Sequence, residues 1–214
     1  MGGMYVLVLF QPNRQTAVIM EKQVKFYQSI PAVALGTALL LMVPLVAMQF
    51  TDEVDWSIID FIIAGALLFG TGTLFALVVR APENIIYKCA MALAIGATFL
   101  MIWANLAVGL IGSGPNPGNL MYIGVLAILI IGIYLSRFKA AGLERAMFAT
   151  ALALAVVAAI ALLAGMHDYP QSSVVEIIGV NLFFIAPYVL SGLLFRYLVQ
   201  KSHQPTETEL KPKV

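Results

Sequence analysis

Apolar residues run along most of this chain in six long stretches, which short polar connections separate. The stretches cover residues 31–50, 58–79, 86–111, 120–136, 144–165 and 174–198. Each is close to the ~20 residues that an α-helix needs to cross the hydrocarbon core of a bilayer. The pattern predicts an all-α membrane protein with six transmembrane helices. Because the connections are short, we expect three antiparallel hairpins of neighbouring helices.

Capping signals support several of these helix starts. Ser57 with Asp60, and Ser173 with Glu176, have the spacing of a capping box, which satisfies free backbone N–H groups at the heads of the second and sixth helices. Asn119 is predicted to be the N-cap of the fourth helix.

The polar stretches at the two ends of the chain complete the domain division. Residues 1–28 are predicted to be a cytoplasmic N-terminal segment, in which residues 1–19 are either a poorly ordered extension or misassigned start, or else a strand-like or interfacial anchor. Residues 29–201 form one six-helix transmembrane bundle in this interpretation. Residues 202–214 are polar and contain two prolines, so we expect a disordered cytoplasmic tail.

The basic residues alternate along the chain in a way that predicts its orientation. They precede the first helix, lie at the second and fourth connections, and follow the sixth helix: Arg14, Lys22, Lys25, Arg80, Lys88, Arg137, Lys139, Arg145, Arg196, Lys201, Lys211 and Lys213. The first, third and fifth connections contain no Lys or Arg. By the positive-inside rule, both termini are cytoplasmic and those three connections face outward.

Composition agrees with a membrane protein and narrows its chemistry. Charged residues are 11% of the 214 residues and apolar residues 61%, whereas a soluble domain has about 25% charged residues. A single cysteine, Cys89, excludes an intramolecular disulfide, and with only two histidines we expect no metal site and no cofactor. The central parts of the helices contain no charged residue, and no nucleotide-binding or hydrolase motif is present. We therefore predict a protein that is not an enzyme and does not bind nucleic acid.

Polar side chains inside the apolar stretches define one candidate site. Asn105 and Asn181 are each placed about 10 Å from the outer end of their helices at 1.5 Å per residue, and Asp60 lies in a first turn. Polar groups at membrane depth usually face the interior of a bundle. One hypothesis is a polar vestibule that opens outward, made by Asp60, Asn105, Asn181, Tyr188, Ser113, Asn116 and Asn119. The alternative is that Asp60 only caps its helix and each asparagine bridges neighbouring helices.

Small residues and prolines allow two further interpretations. Gly65, Gly72, Gly124 and Gly132 are spaced for close helix packing, either within one bundle or in a dimer. Pro44 and Pro187 each remove a backbone hydrogen bond. Helices broken near the middle of the membrane are typical of transporters, although single prolines in membrane helices are also common without that role.

Two segments carry a resemblance to a known group of proteins. The stretch W-x-N-L-A-V-G-x-I-G-S-x-x-N-P-x-N-L-M-Y, at 103–122, resembles a signature of small bacterial inner-membrane proteins with no assigned activity, and VDWSIIDFIIAGALLFGTG, at 54–72, is similar to the same group. The resemblance implies a bacterial, multi-pass, inner-membrane protein. Members often have S-E-D-N-P-A-N in the turn, whereas this chain has Ser113-Gly114-Pro115-Asn116 without acids, which argues against a cation site there.

These observations favour a non-catalytic accessory or assembly subunit of the inner membrane. Its partners would be the lipid bilayer and either a larger membrane protein or further copies of itself. The alternative is a small-solute or lipid-binding permease that uses the vestibule. An intramembrane enzyme is the weakest of the three hypotheses because the sequence shows no nucleophile–base pair.

Overall fold

The computed structural model describes residues 29–81, 84–112 and 116–202, and this part of the chain is all-α, without strands. Its helices are α1 (Ser29–Ala47), α2 (Ile58–Arg80), α3 (Ile85–Ala107), α4 (Met121–Ser136), α5 (Ala140–Leu163) and α6 (Val174–Ser202). Single 3₁₀ turns, Pro117–Leu120 and Met166–Asp168, precede α4 and follow α5. Taking the first turn together with α4, six segments are long and apolar enough to cross a membrane. The predicted fold class is confirmed.

The helices fall into two compact units, which divide at Arg80. In the first unit, α1 packs against α2. The close approach depends on Gly72, because a Cβ atom there would lie 2.7 Å from Cγ1 of Val33. Gly65 is nearly as close to Leu41. Both glycines predicted to allow close packing in α2 therefore lie at this helix pair.

In the second unit, α5 packs between α4 and α6, and α6 packs between α5 and α3. At Gly132 the helices α4 and α5 nearly touch, since a Cβ atom there would lie 2.8 Å from Cβ of Ala146. The core of the unit includes Leu154 and Phe195, which are fully buried. Among the described residues, α3 and α4 make little contact along their lengths. The prediction that each hairpin consists of packed neighbours therefore holds for α1 with α2 and α5 with α6, but not for α3 with α4.

The capping predictions are confirmed at two helices. The backbone N–H and the hydroxyl of Ser57 both donate to Oδ2 of Asp60 at 2.8 Å, and the Asp60 N–H donates back to the Ser57 hydroxyl at 3.3 Å. At the head of α6, the Glu176 N–H donates to the Ser173 hydroxyl at 3.1 Å. Asn84 also caps α3, by accepting a hydrogen bond from the Tyr87 N–H.

The predicted end of the third helix is wrong by four residues. The apolar run continues to Ile111, but α3 ends at Ala107, and Gly109 and Gly112 have φ angles of +80° and +63°. Glycine takes such left-handed conformations without the steric cost that a Cβ atom imposes. Asn105 therefore lies in the last turn of α3, and not about 10 Å from the end of its helix as predicted.

Three further predictions have different outcomes. Both α1 and α6 continue through their prolines, Pro44 and Pro187, so neither helix is broken. Helix α6 extends through Ser202, the first residue of the predicted tail. The predictions for residues 1–28 and 203–214 lie outside the described residues. One continuous bundle over residues 29–201, and both termini in the cytoplasm, stay predictions.

Candidate functional site

Three fully buried polar side chains of the second unit lie along one face of α6. Asn181, Tyr188 and Ser191 have no solvent-exposed surface, and their spacing of seven and three residues places them on one helix face. Asn181 and Tyr188 are two of the residues that the vestibule hypothesis includes. Buried polar groups need hydrogen-bond partners, because unpaired groups in an apolar medium cost free energy.

Both the nitrogen and the oxygen of the Asn181 side-chain amide form hydrogen bonds. Its Nδ2 donates to the carbonyl of Ile177, one turn earlier in α6, at 2.8 Å. Its Oδ1 accepts from the hydroxyl of Tyr122 in α4 at 3.2 Å. Tyr122 is only 1% exposed, so its ring lies in the interior of the unit. Its hydroxyl finds its partner inside the unit.

Tyr188 and Ser191 join α6 to α3. The Tyr188 and Thr98 hydroxyl oxygens are 2.8 Å apart, and the Thr98 hydroxyl donates to the carbonyl of Ala94 at 2.7 Å. Because a threonine hydroxyl has one hydrogen, Tyr188 is the donor to Thr98. The Ser191 hydroxyl donates to the carbonyl of Ala90 at 2.8 Å. We call the five side chains Thr98, Tyr122, Asn181, Tyr188 and Ser191 the polar ladder.

Asn119 organises the connection between α3 and α4. Its Oδ1 accepts from the backbone N–H groups of Leu110 and Ile111 at 2.8 and 2.9 Å, and its carbonyl accepts from Nδ2 of Asn105 at 3.1 Å. The prediction that Asn119 is an N-cap is therefore wrong. The 3₁₀ turn Pro117–Leu120 precedes α4, and the N-cap of that turn is Asn116.

Asn116 holds the same connection from its other side. Its Oδ1 accepts from the Gly118 N–H at 2.8 Å, and its Nδ2 donates to the carbonyl of Ile111 at 2.9 Å. Ser113, the remaining residue of the predicted vestibule roof, lies outside the described residues. Asn105, Asn116 and Asn119 thus belong to one hydrogen-bond network. Its described hydrogen bonds join side-chain amide groups to backbone groups.

Asp60, in the other unit, caps its own helix. Its side chain is exposed, and its partners are the Ser57 N–H and hydroxyl. The structure therefore places the six described residues of the predicted vestibule in different settings: a helix cap, a loop network and a buried ladder. These contacts correspond to the helix-capping and helix-bridging alternative. The vestibule itself stays a hypothesis.

Sequence reasoning missed the interior position of Tyr122 and the part played by Tyr87. The Tyr87 hydroxyl donates to the carbonyl of Phe138 at 3.1 Å, and its ring packs edge-on against Phe195 at 5.4 Å between centroids. The sequence signal for Tyr122 is its position in the first helical turn after Asn119. A tyrosine there fits an interfacial belt and an interior contact equally well.

The reactive residue types are dispersed in the described part of the chain. Residues 29–81, 84–112 and 116–202 contain no group of three His, Cys, Asp or Glu residues that could hold a metal ion. Cys89 is exposed on α3. His167 lies in the connection before α6, with its Nε2 3.6 Å from Oδ1 of Asp168. This arrangement brings together no nucleophile and base.

Comparisons with protein-family models, with curated proteins and with solved structures find no match for this chain. The resemblance of residues 54–72 and 103–122 to a bacterial membrane-protein group therefore stays a prediction.

Proposed function

We propose that this protein is a non-catalytic, multi-pass protein of the bacterial inner membrane that acts as an accessory or assembly subunit. The observation that carries the proposal is the polar ladder. Its buried hydroxyl and amide groups are engaged with each other and with helix backbones, and this pairing holds α3, α4 and α6 together. A side chain that already has its hydrogen-bond partners inside the fold is poorly placed to bind a solute.

The continuity of the helices points the same way. Transporter sites near the middle of the membrane are commonly built from interrupted helices, whose free backbone groups contact the substrate. Here α1 and α6 each contain a proline but continue through it. The proposed role therefore uses the protein as a rigid set of membrane helices.

The outer surface is what such a subunit would present to a partner. Large apolar side chains are exposed on every helix, and α1 has no buried residue. In lipid, helices associate through close van der Waals packing because hydrophobic burial gives no drive between them. Gly36 on α1 and Gly124 on α4 would each accept a Cβ atom with no other atom within 4 Å, so these positions offer room for a neighbouring helix.

Native mass spectrometry of the protein, gently extracted from its own membrane, tests the proposal. A stoichiometric companion subunit is the expected result. A lone protein that carries a small bound solute would overturn it and favour the permease. The permease also requires that Asn105→Leu and Asn181→Leu abolish solute binding in protein that remains folded, whereas an accessory subunit has no solute binding to lose.

A further inference from the structure

The exposed basic residues of the second unit gather at one end, where α3 and α5 begin and α4 and α6 end. Five of them define what we call the basic end: Arg137, Lys139, Arg145, Arg196 and Lys201. None of the five forms an ion pair within residues 29–81, 84–112 and 116–202. The opposite end of the unit has Asp168 and Glu176, and its described residues include no Lys or Arg. Glu144 is an acid beside Arg145 at the basic end, so cations outnumber acids there and the charge of the unit is one-sided.

Helix contacts place three of these cations near one level. Gly142 lies against Ser136, so Arg137 is level with the first turn of α5. Gly192 lies against the ring of Phe148. Because α5 and α6 run in opposite directions, Arg196, one turn beyond Gly192, is level with Arg145, almost one turn before Phe148.

The turn between α4 and α5 turns its side chains outward. Arg137 and Phe138 have φ angles of +49° and +59°, a left-handed conformation that residues other than glycine seldom adopt. It is held by the Ser136 hydroxyl, which accepts from the Phe138 N–H at 3.0 Å, and by the Tyr87 hydroxyl, which donates to the Phe138 carbonyl. Arg137, Phe138 and Lys139 are consequently all exposed.

Aromatic rings accompany these charges. Phe138 is 61% exposed, and Tyr134 and Tyr197 are 80% and 50% exposed. Exposed aromatic rings beside Lys and Arg are typical of the depth at which lipid headgroups lie. The ligand that fits this combination is a phosphate group attached to an acyl chain: the phosphate is paired by the cations, and the chain lies along the apolar helix surface.

We propose that the basic end is a binding site for anionic phospholipids, which it selects over zwitterionic ones through the phosphate groups of their headgroups. The choline of a zwitterionic headgroup carries a positive charge that the basic end repels. An anionic headgroup brings no such charge. The site lies on one unit and does not require the partner of the proposed function, so the two proposals can fail separately.

The test uses the full chain in nanodiscs made from phosphatidylcholine with a rising fraction of phosphatidylglycerol. Native mass spectrometry then counts the lipids that stay bound after release from the disc. Both leaflets of a nanodisc have the same composition, so the direction in which a variant inserts does not affect the result. We expect phosphatidylglycerol to be retained preferentially, with a preference that weakens as salt concentration rises, because salt screens exposed charges.

Two double variants and one matched control locate the site. Arg137→Gln with Lys139→Gln, and Arg145→Gln with Arg196→Gln, should each reduce the preference roughly tenfold or more, since a basic residue near a membrane surface contributes about 1 kcal/mol. Asp168→Asn with Glu176→Gln, at the opposite end, should leave the preference unchanged. Lys139→Arg keeps the charge and should retain binding, which separates loss of a site from misfolding.

Two results would overturn the proposal. One is equal retention of the two lipids by the wild-type protein. The other is an unchanged preference in both double variants while their thermal melting matches that of the wild type.

Discussion

Asn181 shows how one side chain joins two helices of the second unit. Its amide oxygen binds Tyr122 of α4, and its amide nitrogen binds the backbone of α6 itself. Seven residues further along α6, the hydroxyl of Tyr188 forms a hydrogen bond with Thr98 of α3. These are the contacts that the vestibule hypothesis would need to leave open for a ligand. At the scale of single residues, the interior of the second unit is therefore organised for stability.

The Tyr188–Thr98 hydrogen bond gives a measurable contribution to stability. Tyr188→Phe removes the hydroxyl and keeps the ring, so the free energy of unfolding should fall by about 0.6 kcal/mol, with an upper limit of about 1.7 kcal/mol for one interhelical hydrogen bond in a membrane protein. Unfolding in detergent, titrated with sodium dodecyl sulfate, measures the change. Tyr197→Phe is the matched control, because that side chain is 50% exposed on the same helix. An equal loss in both variants would contradict the assignment.

Asn119 makes a second prediction, in the connection between α3 and α4. Asn119→Ala leaves the N–H groups of Leu110 and Ile111 without their acceptor, and the free energy of unfolding should fall by about 1–3 kcal/mol. Asn119→Asp keeps an acceptor oxygen at the same position and should restore most of the loss. Thermal melting of the purified variants distinguishes the two. A greater loss in the aspartate variant than in the alanine variant would show that the acceptor role is wrong.

At the scale of elements, the sequence was sufficient where a helix boundary coincides with a change of composition. The starts of α2 and α6 fall where Ser57 and Ser173 predict them, because the capping side chain and the first apolar residue occur together. The end of α3 could not be read from composition. Val108–Ile111 is apolar, and the helix ends there because Gly109 turns back so that Asn119, eight or more residues away, can pair with two backbone N–H groups.

The hydrogen-bond partners of the buried polar groups could not be predicted from the sequence either. The polar stripe of α6 follows from helical spacing alone, which places Asn181, Tyr188 and Ser191 on one face. Which helix each side chain meets depends on tertiary packing. Short connections favour neighbouring helices, yet α3 packs against α6, nearly a hundred residues away in the chain. The predicted vestibule drew on residues from three helices, and only the packing could show which of them meet.

Two glycines of α4 provide an internal comparison of helix packing. Gly132→Leu places a side chain where Cβ would lie 2.8 Å from Cβ and 3.2 Å from Cα of Ala146. The second contact is backbone and cannot rotate away, so α4 and α5 must separate, and the free energy of unfolding should fall by about 1–3 kcal/mol. Gly124→Leu is the control, since a Cβ atom there meets nothing within 4 Å. Detergent unfolding of both variants is the measurement, and a harmless Gly132→Leu would contradict the packing of α4 against α5.

At the scale of the whole molecule, the number of helices and the alternation of charge along the chain predict the orientation in the membrane. Six helices of sufficient length imply an even number of crossings if all of them span, so both chain ends are expected on one side of the membrane. The basic end and the opposite, acidic end of the second unit then face different compartments. By the positive-inside rule, we expect the basic end on the cytoplasmic side.

Cysteine labelling tests this orientation, and only one native cysteine has to be replaced first. In a Cys89→Ala background, Asp168→Cys should react with a membrane-impermeant maleimide applied to intact cells, because that residue lies in an exposed connection at the acidic end. Ser202→Cys, at the end of α6 on the basic end, should react only after the membrane is permeabilised. Neither substitution removes a basic residue, so the charge pattern that sets the orientation is preserved.

Labelling of position 202, but not of position 168, in intact cells would invert the topology and place the proposed lipid site in the outer leaflet. Labelling of both positions in intact cells would require an even number of crossings between them, and α6, which is the only helix in that interval, would then not span the membrane.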